Sequence, residues 1–237
     1  MLGLGIDLPN RVDRKPWSPT DINGLALYLK NGRATAAQWD DSSGNANHAA
    51  QSSSGSQATA EDGGLNFEGS SDHYYDLTSK ITVSTNHNFL VAIVLNIESY
   101  DSLNCVLSDG TNEFFEFQTN KKIRVKTLDG SATTSILTQS AANFAAGSKM
   151  LIILSRNDGS TGTMKVYKNG AELSDSWSNQ TNPKQIEFSN LGIRNDDDRP
   201  LDALVYEVLV YDFGTDTIAA TELADLNSHL KSKHSLL

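Results

Sequence analysis

From residue 24 to residue 211 the chain reads as short apolar or alternating runs cut by Asn-Gly, Asp-Gly and Gly-Ser pairs, the punctuation of an antiparallel β protein. Alternation puts successive side chains on opposite faces of a strand, so each run can bury one face and leave the other wet. The runs fall at residues 24–29, 64–67, 74–77, 88–97, 104–108, 113–118, 122–127, 135–138, 149–156, 163–168, 172–176, 186–191 and 204–211. They are too many, too short and too regularly spaced for βαβ units. A chain of 237 residues, 38% of them hydrophobic, is long enough to bury a sizeable core. Two packed sheets bury so many short strands economically, and the sequence therefore predicts an all-β fold, a two-sheet antiparallel β-sandwich of the jelly-roll kind.

Asn169-Gly170 separates two of these runs and has the composition of a two-residue hairpin turn, because both positions tolerate positive φ; Asp129-Gly130 reads the same way. The longest apolar run, residues 89–95, is far too short to span a bilayer and reads as a buried strand. Near the end, Asp216 or Thr217 can cap a short helix in which Ile218, Leu223, Leu226 and Leu230 recur near helical spacing, with Lys231 and Lys233 in its last turn. Residues 51–64, rich in Ser, Gly, Gln and Ala, read as a surface loop. Residues 1–22 carry Pro9, Pro16 and Pro19 without strand or helix periodicity and read as an extended arm that gains order by docking, on another subunit or as a strap on its own domain. The expected organisation is an arm over 1–22 that serves as an anchor, and one sandwich domain with its terminal helix over 23–237.

The formal net charge of −10 opposes binding to nucleic acid and to anionic lipid, so neither is expected as a partner. The single cysteine, Cys105, cannot form an intramolecular disulfide, and the first residues lack the basic stretch of a signal peptide. A soluble protein assembled in the cytoplasm is the expectation.

The run 38–49, Gln-Trp-Asp-Asp-Ser-Ser-Gly-Asn-Ala-Asn-His-Ala, followed by Gly64-Leu65-Asn66-Phe67-Glu68-Gly69, resembles the opening of concanavalin A-like lectin/glucanase domains of the laminin G-like type. The hairpin from Met164 to Gly170 is similar to that family's Tyr-x-Asn-Gly hairpin, and residues 201–212 resemble its Phe-Asp-Gly-x-Ile-x-Glu-Val-x-Val-Tyr-Asp strand. The terminal helix stands where the family has its closing helix. These blocks keep the family's order over nearly the whole chain; Ala203 and His229 replace its usual Gly and Tyr. The resemblance implies a concanavalin A-like sandwich. The Met-Leu-Gly-Leu-Gly start and the Pro-rich lead-in are also similar to virion proteins of tailed bacteriophages, which implies a virion-surface protein with other capsid or tail proteins as partners, present as a homo-oligomer or in multiple copies.

Glycan-cleaving members of the superfamily carry Glu-x-Asp-x-Glu on one strand face. Here Glu113 and Glu116 are three apart and fall on opposite faces of a regular strand, as do Glu207 and Asp212, and Glu187 has no partner two residues away. Cys105 reads as an inert buried thiol, and His48, His73, His87, His229 and His234 show no zinc-ligand spacing. No catalytic residue and no cofactor is assigned, and the expected protein is not an enzyme. Carboxylates converging from different strands remain the one route to a glycan-cleaving site.

Three sets of residues suit binding. Trp39, Asp40, Asp41, Asn45, Asn47 and His48 crowd one loop and could hold a sugar, the polar groups bonding hydroxyls and Trp39 stacking on the ring; the same residues equally suit a tight loop with Trp39 in the core. Arg194-Asn195-Asp196-Asp197-Asp198-Arg199 offers oxygen ligands for calcium or, more simply, a solvated acidic turn. Lys122, Arg124 and Lys126 alternate with apolar residues and line one face, fit for an acidic glycan or an acidic partner, or a solvated edge. The expected function is a virion-surface protein with a lectin-like domain that contacts host-surface polysaccharide; a free carbohydrate-binding module is the alternative.

Overall fold

The structure is a computed structural model that describes residues 16–109, 113–127, 133–138, 144–158, 162–174, 176–178, 184–194 and 199–236. Residues 1–15 of the expected arm, the Asp129-Gly130 turn and residues 195–198 of the acidic turn lie outside the described residues. The chain folds as an all-β antiparallel sandwich with one C-terminal helix.

The first sheet is built around β7 (Asn88–Ile97) and β17 (Ala203–Gly214), paired from Ala203 with Ile97 to Gly214 with Asn88. Beyond β7 lie β12 (Met150–Asp158), β13 (Thr163–Lys168) and β14 (Ala171–Glu172). The other edge of β17 is shared by β5 (Gly64–Phe67) and β1 (Leu25–Ala34), and β4 (Thr59–Glu61) pairs with β5. The second sheet runs β6 (Tyr75–Val83), β16 (Ile186–Leu191), β8 (Asn104–Asp109), β9 (Glu113–Phe117), β10 (Ile123–Thr127), β11 (Thr133–Thr138) and β15 (Ser176–Ser178). Short strands β2 (Gln38–Asp41) and β3 (Ala49–Ala50) connect β1 to β6 and make the two sheets continuous along one edge.

The apolar run in β7 has a direct cause. Phe89, Val91, Ile93, Leu95 and Ile97 fill the space between the sheets. Leu90, Ala92 and Val94 point the other way, into a second apolar layer closed by Leu226 and Leu230 of the helix, Ile218 and Ile22. A strand covered on both faces has no solvent side to alternate with. The helix α1 spans Ala220–His234. It starts later than the Asp216 or Thr217 cap expected from sequence, because Asn88 Nδ2 binds the Asp216 carbonyl at 2.8 Å and the chain runs on to bury Ile218 before turning. Glu222 then accepts from the Ala219 N–H at 3.0 Å.

The Asn169-Gly170 turn has φ of 48° and 86° and joins β13 to β14 as a tight hairpin. The described end of the lead-in straps the chain's own sandwich. Trp17 rests on His229, ring centroids 5.3 Å apart, and Tyr211 donates from its hydroxyl to the Pro19 carbonyl at 3.1 Å. Among the described residues no helix is long and apolar enough to cross a membrane.

Candidate functional site

The loop expected to hold a sugar is assembled, but inward. Trp39 is fully buried in the inter-sheet core and its Nε1 donates to the Lys30 carbonyl at 2.9 Å, so the ring has no face for stacking and the role expected of it is corrected. Asp41 accepts from the N–H groups of Tyr28, Ser43 and Asn47 at 2.9 Å each and from the Ser43 hydroxyl at 2.7 Å. Burial pushes its carboxyl up, yet these bonds outweigh burial and hold it below its ordinary range. Asn45 donates to the carbonyls of Leu25 and Ala26, Asn47 accepts from the Ser79 N–H at 2.8 Å, and His48 Nδ1 accepts from the Asp41 N–H at 3.2 Å. Asp40, half exposed, accepts from Gln38 at 2.6 Å. The residues come together, and the polar groups of Asp41, Asn45, Asn47 and His48 bond backbone of the loop and of the neighbouring strands.

A groove of about 640 Å³ opens elsewhere, where the end of β17 meets the strap and the start of α1. Its walls are Ile22, Asn23 and Gly24 on one side, Asp212, Phe213, Gly214, Asp216 and Thr217 on the other, and Glu222 of the helix. Gly24 has φ of +83°, and a Cβ there would meet the Asp212 carbonyl oxygen at 2.3 Å, so only glycine lets the two walls approach. Phe213 is half-buried and stacks on Tyr211 at 5.6 Å and 14° between planes. Asp212 is fixed by the Gly214 N–H at 2.9 Å and by His87 Nδ1 at 2.9 Å, while Asp216 and Thr217 are exposed. An aromatic side chain lining a groove together with carboxylates, an amide and a hydroxyl gives a donor and acceptor set that polyols match. The sequence reading missed it because its walls lie about 190 residues apart in the chain and meet only through the pairing of β1 with β17.

Glu113 and Glu116 do face opposite ways. Glu116 is fully buried between Arg124, its ion-pair partner, and Arg199 Nη1 at 3.0 Å. The guanidinium and ammonium groups of Arg124, Lys126, Arg194 and Arg199 lie 5.0 to 5.9 Å from the Phe114 ring centroid. The expected cationic face of Lys122, Arg124 and Lys126 is therefore partly a buried network. Glu113, on the other side, lies with Asp109 and Glu187, and burial first, then the charges of Glu187 and Asp109, push its carboxyl up to about 7. From sequence Glu113 and Glu187 lack a carboxylate two residues away on their own strands, and Asp109 carries no pattern that joins it to them.

Cys105 is buried, and burial pushes its thiol well up. The histidines are dispersed: His73 accepts from the Glu68 N–H at 3.1 Å, and His234 Nε2 lies 2.5 Å from Glu207, the buried carboxylate that also holds Lys233 at 2.7 Å.

No family model matches the chain, and no curated protein matches it by sequence. Solved structures do. The binding domain of Paraclostridial Mosquitocidal Protein 1 aligns with a TM-score of 0.60 at 13% identity over 89% of this chain and 53% of its own. A Trypanosoma rangeli sialidase in complex with the inhibitor DANA aligns at 0.56 and 17% over 87% of this chain and 33% of the sialidase, and another structure of that enzyme at 0.53 and 16%. The chain thus spans a third of the sialidase chains and about half of the toxin domain. At these identities the likeness is one of fold, a β-sandwich, and nothing in it singles out the laminin G-like type. The expectation of a protein that is not an enzyme is corrected by the same matches: chains that share this fold are sialidases, so the fold and the missing Glu-x-Asp-x-Glu strand give no ground for excluding catalysis.

Proposed function

We propose that the chain binds glycans, and that it does so in the groove walled by residues 22–24, 212–217 and Glu222. The observation that carries the reading is a groove of about 640 Å³, large enough for one or two sugar rings, that is lined by the half-buried Phe213 together with Asp212, Asp216 and Glu222. The fold shared with sialidases and with a toxin's binding domain supports a ligand of this class. A panel of neutral, sialylated and uronic acid-containing glycans, with and without calcium, tests it; saturable binding competed by free oligosaccharide is the expected result, and silence across the panel rejects it.

The finer reading is a laminin G-like domain on the surface of a tailed-phage virion, in several copies, held to capsid or tail proteins by the arm and turned toward host polysaccharide. Its support is the sequence resemblance of the ordered blocks and of the lead-in. Because Trp17 to Ile22 pack on the chain's own domain, a deletion of residues 1–15 leaves the sandwich intact and removes incorporation into particles; normal incorporation rejects the anchoring role.

A further inference from the structure

Asp109 and Glu113 stand opposite one another on β8 and β9, and Glu187 reaches them from β16, whose end pairs with β8. One carboxylate oxygen from each of the three lies within 4.8 Å of the other two. An ion at the centre of such a triangle sits no more than about 2.8 Å from each oxygen, within reach of calcium–oxygen distances.

Glu113 is 3% exposed, and its Oε1 has no hydrogen-bond partner among the described residues. A buried carboxylate oxygen left without a partner is costly, so one aimed at two further carboxylates marks a place where a cation belongs. The positive charge there now is the Lys80 ammonium, 2.7 Å from Asp109 and 2.9 Å from Glu187. Lys80 carries no bond to Glu113 and its side chain is 45% exposed, so it can swing into solvent. Two hydroxyls already orient the carboxylates: Ser189 donates to Asp109 at 2.6 Å and Thr82 to Glu187 at 2.8 Å. The donors are all oxygen, which suits a hard divalent cation.

We propose that Asp109, Glu113 and Glu187 form a calcium site in which the ion takes the place of the Lys80 ammonium. The site is separate from the glycan groove and does not depend on it. Calorimetric titration of the full chain with calcium chloride after chelator treatment, with magnesium chloride in parallel, tests it. Saturable calcium binding below roughly 1 mM is expected, weakened about tenfold or more by Glu113→Gln and tightened by Lys80→Gln, which removes the competing charge. Lys80 lies at the surface with its side chain 45% exposed, so its variant folds even if Glu113→Gln does not. No saturable calcium binding to the wild-type chain overturns the proposal. Binding that Lys80→Gln leaves unchanged, or that a folded Glu113→Gln retains in full, places the ion elsewhere and overturns it too.

Discussion

The Trp39 indole donates to the Lys30 carbonyl across 2.9 Å from inside the inter-sheet core. That bond turns the most sugar-like residue of the sequence into a structural one. Trp39→Ala should destabilise the fold by about 3–5 kcal/mol in urea unfolding, while the folded protein keeps its glycan affinity. A well-folded variant with lost affinity would return the loop to the binding site.

Glu207 shows how a bulge redirects a side chain. Val205 pairs with Leu95 and Glu207 with the next residue, Val94, so Tyr206 is the extra residue and the Glu207 carboxylate goes under α1 to Lys233 and His234. Burial pushes that carboxyl up, but the bonds from His234, Lys233 and Tyr28 outweigh it and hold it below its ordinary range. A carboxyl lowered on folding contributes stability that is complete above its unfolded value of about 4.3 and is lost as pH falls through the folded value. Wild-type stability should therefore drop more steeply on acidification below about pH 4.3 than that of Glu207→Gln. At pH 7 the variant should be less stable by roughly 3 kcal/mol. Equal acid slopes for the two proteins would contradict this role.

Gly64 approaches β17 so closely that a Cβ would lie 2.0 Å from the Val205 carbonyl oxygen. Gly64→Ala should cost about 1–3 kcal/mol by prying β5 from β17, read as a lowered midpoint in thermal unfolding. An unchanged midpoint would show that the contact is slack.

Cys105 is fully buried, with its thiol pushed up first by burial and then by Glu116. It should resist a disulfide reagent at neutral pH in the native protein and titrate as one thiol in denaturant. Rapid native reaction would refute the packing of β8.

Much of the fold is legible in the sequence where patterning is local. Residues 64–67, 88–97, 163–168 and 186–191 are strands with the bounds their apolar or alternating runs and turns imply. Strands β2, β3 and β4 are too short to alternate and exist only because neighbours pair with them, so they read as loop. Ile218 has helical spacing to the residues that follow but is buried before the helix begins, since side-chain period does not report where the backbone turns. The candidate sites were less legible. Composition named the crowded loop at 39–48, but whether a polar group faces ligand or backbone depends on pairing, and the groove and the Asp109, Glu113 and Glu187 cluster come from strands distant in sequence.

The most direct test of the glycan-binding account is calorimetric titration of a panel-selected oligosaccharide into wild-type protein, Phe213→Ala and Asp216→Asn. The account predicts saturable wild-type binding, weakened about tenfold when the Phe213 ring is removed and also weakened by Asp216→Asn, in variants that remain folded at the assay temperature. Full affinity in both folded variants would contradict it.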